Sequence, residues 1–192
     1  IWSDFDQDGW TDLIVTGEWM PVIFYKNNKG KLENVTENTG LTGMHGWWNS
    51  IASGDFDEDG DFDYVIGNVG LNTEGHPSQD KPLTLFAKDF DKSGTMDPVL
   101  CRYFGNELYP VHPRDEMTSQ MNFLKKRFIY YADYSKADIG KVFSKEELKD
   151  AKKMVCEAMQ SVLIINKGNG KFEMKPLPAA AQLGSVYGNC AA

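Results

Sequence analysis

The nonapeptide Asp55-Phe56-Asp57-Glu58-Asp59-Gly60-Asp61-Phe62-Asp63 occurs in two further versions along the chain, Asp4-Phe5-Asp6-Gln7-Asp8-Gly9-Trp10-Thr11-Asp12 and Asp89-Phe90-Asp91-Lys92-Ser93-Gly94-Thr95-Met96-Asp97. Acids stand at positions 1, 3 and 9 of every copy, Phe at position 2 and Gly at position 6. A hard divalent cation such as calcium takes six to eight oxygens at roughly 2.3–2.6 Å, and alternate side chains of a tight loop can converge on one point. Glycine supplies the dihedral that turns the chain back. The pattern predicts up to three calcium loops, with side-chain oxygens from Asp4, Asp6, Asp8 and Asp12, from Asp55, Asp57, Asp59 and Asp63, and from Asp89, Asp91, Ser93 and Asp97. Position 7, which is Trp10, Asp61 and Thr95, would add its carbonyl.

An EF-hand begins in the same way but requires a Glu at position 12 and a helix on either side. Position 12 is Val15, Ile66 and Leu100, and the segments that follow the loops, Leu13 to Thr16, Tyr64 to Ile66 and Val99 to Cys101, suit strands. The loops are therefore expected between strands. Plain acidic hairpins are the competing interpretation, since Asp-Gly is itself a turn signal. Charge separates the two. Of 28 acids and 20 bases, 13 acids and one base, Lys92, lie in the three loops, so the rest of the chain is slightly basic. Such concentrated carboxylates repel by about 4 kcal/mol per pair at 4 Å and an effective dielectric of 20. They call for a counter-cation.

Outward from the loops, 192 residues with 41% hydrophobic content provide for a packed core. No apolar run nears the roughly eighteen residues that a membrane span needs, so no transmembrane segment is expected. Cys101, Cys156 and Cys190 show no metal-ligand spacing and fit small buried hydrophobes. The chain opens at Ile1-Trp2-Ser3, already at the edge of a loop. It closes at Cys190-Ala191-Ala192, much as Ile51 to Gly54 precede the middle loop, which suggests a segment of a longer repeat protein.

After the first loop, strands are expected over 12–17, 21–25 and 31–35, with a turn at Asn27 to Gly30. The same tail returns downstream, with Val162 to Ile165, Gly168 to Gly170 and Lys171 to Glu173 matching Val22 to Tyr25, Asn28 to Gly30 and Lys31 to Glu33. The repeating unit is thus an antiparallel sheet of about four strands, its first two joined by the acidic loop. Several such sheets in one chain suggest radial repetition.

Asp-Phe-Asp-x-Asp-Gly, an apolar strand, an Asn/Gly turn and a Lys-Phe or Lys-Leu strand together resemble the FG-GAP or VCBS repeat of integrin-α-type β-propellers. Gly17 to Pro21 and Gly67 to Asn72 are similar to a bacterial subgroup, surface-exposed or secreted and sometimes joined to an ASPIC/UnbV domain. The resemblance implies a mainly β fold, a partial β-propeller of about three blades, incomplete at both ends, with an α-helical insertion. It also implies an extracellular or cell-surface location and a protein or glycan ligand. The expected division is 1–101 for the blades with their calcium loops, 102–160 for the insertion, and 161–192 for the end of the interrupted last blade and the start of the next.

Two features depart from an even repeat. Asp4 and Asp55 are 51 residues apart but Asp55 and Asp89 only 34, and Leu83 to Lys88 is read as the first strand of a third blade. Ser93 replaces an acid in the third loop. In the insertion, Ser144-Lys145-Glu146-Glu147 is a capping box with Phe143 and Leu148 placed as a staple. It predicts a helix over 145–161, with Leu148, Ala151, Val155, Ala158 or Met159, and Val162 on one face. A second helix is expected over 115–131, burying Met117, Met121, Leu124 and Phe128, while Lys125, Lys126 and Arg127 form a solvated face rather than a nucleic-acid site.

His45, His76 and His112 have no paired metal spacing, and nucleophile, phosphate-loop and zinc motifs are absent. His45-Gly46-Trp47-Trp48 is the best candidate for sugar stacking, against a structural reading in which one Trp enters the core and the other meets a neighbouring blade. The expected function is a non-enzymatic binding module with structural calcium. The alternative is part of a calcium-dependent polysaccharide lyase or hydrolase, whose site other blades would complete.

Overall fold

Short runs of β-branched and aromatic residues between tight turns build three four-stranded antiparallel sheets in the computed structural model, which describes residues 1–41 and 43–189. In chain order the strands are β1 (Trp2–Ser3), β2 (Asp12–Val15), β3 (Glu18–Met20), β4 (Ile23–Asn28), β5 (Lys31–Asn34), β6 (Gly46–Trp47) and β7 (Ser50–Gly54). Then come β8 (Asp63–Gly67), β9 (Leu83–Lys88), β10 (Asp97–Phe104), β11 (Glu107–Pro110), β12 (Lys152–Cys156), β13 (Val162–Asn166) and β14 (Phe172–Pro176). Five short helices lie between β11 and β12: α1 (Arg114–Gln120), α2 (Leu124–Arg127), α3 (Tyr131–Tyr134), α4 (Ile139–Val142) and α5 (Lys145–Leu148). None is long and apolar enough to cross a membrane.

The chain forms two compact units: Ile1–Gln79 together with the stretch from Cys156 onward, and Asp80–Val155. In the first, one sheet has the order β1-β2-β4-β5 and the other β14-β13-β8-β7. Each acidic loop joins the first two strands of its sheet, β1 to β2 and β7 to β8, as the repeat predicts. The two sheets share one core of Phe5, Ile14, Phe24, Trp48, Tyr64, Ile66, Ile164 and Phe172. Trp48 explains Gly46, where an added Cβ would lie 2.2 Å from the indole ring.

The second sheet corrects the assignment of the downstream tail. Val162 to Glu173 does not end a third blade; β13 pairs with β8, Val162 opposite Ile66 and Ile164 opposite Tyr64, so residues 68–161 interrupt the second sheet. The match between tails also shifts by one residue. Val15 pairs with Ile23 and Ile66 with Val162, which makes Ile23, not Val22, the counterpart of Val162.

In the unit Asp80–Val155 the sheet order is β11-β10-β9-β12. Leu83 to Lys88 is the strand before the third loop, as expected. Strands continue further than residue 101: β10 runs to Phe104 and turns through Gly105, at φ +63°, into β11. The helix expected over 145–161 stops at Leu148, with Asp150 at φ +60°, and Lys152–Cys156 is the outer strand β12 instead. Its capping box and staple form as predicted, with Phe143 and Leu148 in one core. The helical spacing beyond Leu148 was coincidental, because Ala158 and Val162 serve the other unit's core. The helix over 115–131 breaks at Met121, where φ is −122° and ψ 90°, yet Met117, Met121, Leu124 and Phe128 are all buried around Val99 and Cys101. Cys101 and Cys156 are buried free thiols, with pKa values that burial pushes up to about 12 and about 11; Cys190 lies outside the described residues.

Arg127 pairs with Glu147 at 2.8 Å, and this bond holds the carboxyl down at about 2 against an ordinary 4.5. A depressed carboxyl stabilises the fold above its unfolded pKa and loses that contribution as pH falls through the folded one. Glu147→Gln, which keeps the capping acceptor, is expected to cost about 1 kcal/mol at pH 7 after solvent screening. That difference from the wild type should vanish between pH 5 and pH 2 in urea melts.

Candidate metal centres

Each acidic loop is built by the same hydrogen bonds. The position 1 carboxylate accepts from the backbone N–H of positions 5 and 6: Asp8 and Gly9 on Asp4 at 3.1 and 2.9 Å, Asp59 and Gly60 on Asp55 at 3.2 and 3.1 Å, Ser93 and Gly94 on Asp89 at 2.9 Å each. Gly9, Gly60 and Gly94 have φ near +90°, and an added Cβ would meet nothing within 4 Å, so the demand there is on the backbone rather than on space. Gln7, Glu58 and Lys92 at position 4 also have positive φ, a conformation costing non-glycine residues roughly 1–2 kcal/mol.

Position 9 anchors the loop to the sheet. Asp12, Asp63 and Asp97 are at most 3% exposed and accept from the Phe N–H at position 2 of their own loops at 3.1, 2.9 and 2.9 Å. The other oxygen accepts from the Asn27 N–H at 2.7 Å in the first loop and from the Asn166 N–H at 2.8 Å in the second. In the third, the side-chain amide of Gln120, at the end of α1, donates to Asp97 at 3.1 Å. Asn27, Asn166 and Gln120 were not anticipated. The signal for the two asparagines is an Asn closing the apolar strand in both tails, visible once the tails are aligned one residue later; Gln120 has none.

The carboxylates converge in threes. Asp4, Asp6 and Asp8 offer oxygens within 4.8 Å of one another, as do Asp55, Asp57 and Asp63, and Asp89, Asp91 and Asp97. Each triad could hold a metal ion. Asp12, Asp59 and Asp61 stand outside these triads. The N–H of each position 7 residue, Trp10, Asp61 and Thr95, donates to the side chain of position 5, Asp8, Asp59 and Ser93.

An all-oxygen, anionic donor set fits a hard cation. Among the described residues, Asp6 Oδ1 in the first triad and Asp61 Oδ1 beside the second are buried without a hydrogen-bond partner. Burial first, and then the charges of Asp59, Asp63 and Asp57, push the Asp61 carboxyl up to about 6. The first loop differs. The Lys26 ammonium bonds Asp6 Oδ2 and lies 2.8 Å from Asp8 Oδ2, and these bonds raise its own pKa above the ordinary lysine range. The nearest counterpart in the second loop, Lys167, is 3.6 Å from Asp57.

Trp48 is 2% exposed and donates from Nε1 to the Met20 carbonyl, and Trp47 packs on Trp19 with ring centroids 5.1 Å apart. His45 pairs with Glu157 at 3.3 Å, His112 with Glu116 at 3.0 Å, and His76 is exposed. Lys125, Lys126 and Arg127 are exposed.

Residues 4–66 match the family model of the FG-GAP-like repeat, a span running from the first acidic loop to the strand after the second. No curated protein and no solved structure matches the chain.

Proposed function

We propose that this chain is a calcium-stabilised segment of a β-propeller and acts as an extracellular or bacterial cell-surface binding module, of the ASPIC/UnbV-associated, integrin-α-like kind, for a protein or glycan. The observation that carries this reading is the position of the carboxylates. Asp63 and Asp97 belong at once to a metal-competent triad and to the buried joint between loop and sheet, so an ion held there by Asp55, Asp57 and Asp63, or by Asp89, Asp91 and Asp97, stiffens the blade itself. A structural role follows more directly than a catalytic one.

Extracellular calcium modules bind at about 10⁻⁴ to 10⁻³ M, which leaves them empty at cytosolic calcium and filled outside the cell. Calcium at 100 times its dissociation constant adds about 2.7 kcal/mol per site, or roughly 5–10 °C for a chain of this size. Unfolding in EDTA and in saturating calcium, with stoichiometry from titration calorimetry, tests the reading. A folded protein with neither binding heat nor a shift in midpoint would remove calcium from it. Calcium-loaded protein should then retain a glycan or protein ligand unchanged on an array, whereas turnover of a polysaccharide would favour the lyase or hydrolase alternative.

A further inference from the structure

We infer that Lys26 is the resident cation of the first acidic loop, so that Asp4, Asp6 and Asp8 are closed by the chain's own ammonium and take no divalent ion while it is present. The expected behaviour of the other two loops rests on the calcium reading above. The Lys26 contact does not.

The ammonium is placed by the sheet. Lys26 stands in β4 opposite Glu33, next to Asn27, whose N–H fixes Asp12 at the loop's end. The backbone on either side is thereby pinned, and the side chain reaches one oxygen each of Asp6 and Asp8. Asp4 is already engaged by the Asp8 and Gly9 N–H groups. Asp6 Oδ1 remains without a partner, but it belongs to a carboxylate whose other oxygen holds the lysine. An ammonium and a divalent ion cannot share one set of carboxylates, since each would sit a few ångströms from the other's charge.

Among the described residues, no ammonium closes either of the other loops in this way. The residue of β13 that corresponds to Lys26 is Ile165, buried at 4% exposure, which places no charge in the second loop. Lys167 reaches only Asp57, at 3.6 Å, from a side chain 45% exposed. At the third loop, Lys88 turns away and donates to the carbonyls of Glu147 and Lys149. The first loop therefore keeps the acidic pattern of the repeat but carries a cation of its own.

The test compares wild type with Lys26→Met, which keeps the apolar stem, and Lys26→Arg, which keeps the charge, all checked for folding by far-ultraviolet circular dichroism. Titration with calcium alone should give two ions for wild type and Lys26→Arg and three for Lys26→Met. In EDTA, Lys26→Met should melt about 2–4 °C below wild type, and calcium should close the gap. Equal, non-zero calcium stoichiometry in wild type and Lys26→Met would overturn the inference, whatever number of ions the other two loops take. If no variant binds calcium, the calcium reading fails and the EDTA melts decide alone: a lowered midpoint in Lys26→Met upholds the resident lysine, and an unchanged one rejects it.

Discussion

Asp63→Ala is expected to destabilise the metal-free protein by about 3 kcal/mol, a fall of roughly 6–12 °C in midpoint. Asp63 is fully buried and accepts from the N–H of Phe56 at 2.9 Å and of Asn166 at 2.8 Å. Removing the carboxylate strands both donors, and each buried unsatisfied group costs about 1–3 kcal/mol. Asp59→Ala in the same loop is the control. Asp59 is exposed and outside the triad, so its loss should stay within about 0.5 kcal/mol. Thermal melts of the two variants in EDTA separate a structural joint from a merely acidic surface. Equal midpoints would mean that Asp63 contributes nothing beyond charge.

Phe172→Ala should be comparably severe, about 3–5 kcal/mol. The ring is 7% exposed, with centroids 4.6 Å from Phe24, 5.9 Å from Phe5 and 6.2 Å from Tyr64. Those partners come from β4, the first acidic loop and β8, so one side chain ties both sheets of its unit together. Equilibrium urea unfolding measures the loss, and a value below 1 kcal/mol would show that the two sheets do not share a core.

The acidic loops were legible because metal-type loops leave a mark at fixed spacing: Asp at 1, 3 and 9, Gly at 6, and an apolar strand after Asp12, Asp63 and Asp97. The sheet that each loop serves follows from the same pattern. What sits across a sheet was not legible, because pairing between distant strands leaves no local trace. Val162 to Asn166 carries the signature of a blade's third strand, but nothing local says that Tyr64 to Ile66 is its partner. Lys152–Cys156 failed for the opposite reason. A correct capping box at Ser144 set an expectation that Asp150, in a left-handed conformation, ended after one turn, and the free side of β9 took the following residues as a strand. Met117, Met121, Leu124 and Phe128 show the middle case, where spacing identified the buried face although the helix carrying it is broken in two.

The interruption of the second sheet sets an order of events during synthesis. Tyr64 to Ile66 on β8 find their partners only after residues 68–161 have left the ribosome, and until then one side of that strand presents open hydrogen-bonding groups. Asp80–Val155 is continuous in sequence and has a buried cluster of its own, around Val99, Cys101 and Phe143, which can begin to form while β8 waits. Early folding also shortens the free chain that must be closed to bring β13 onto β8, which lowers the loop-closure entropy. A lesion that slows the intervening unit should therefore appear first as a slow docking phase of β13, read in refolding kinetics, before it appears as lost equilibrium stability.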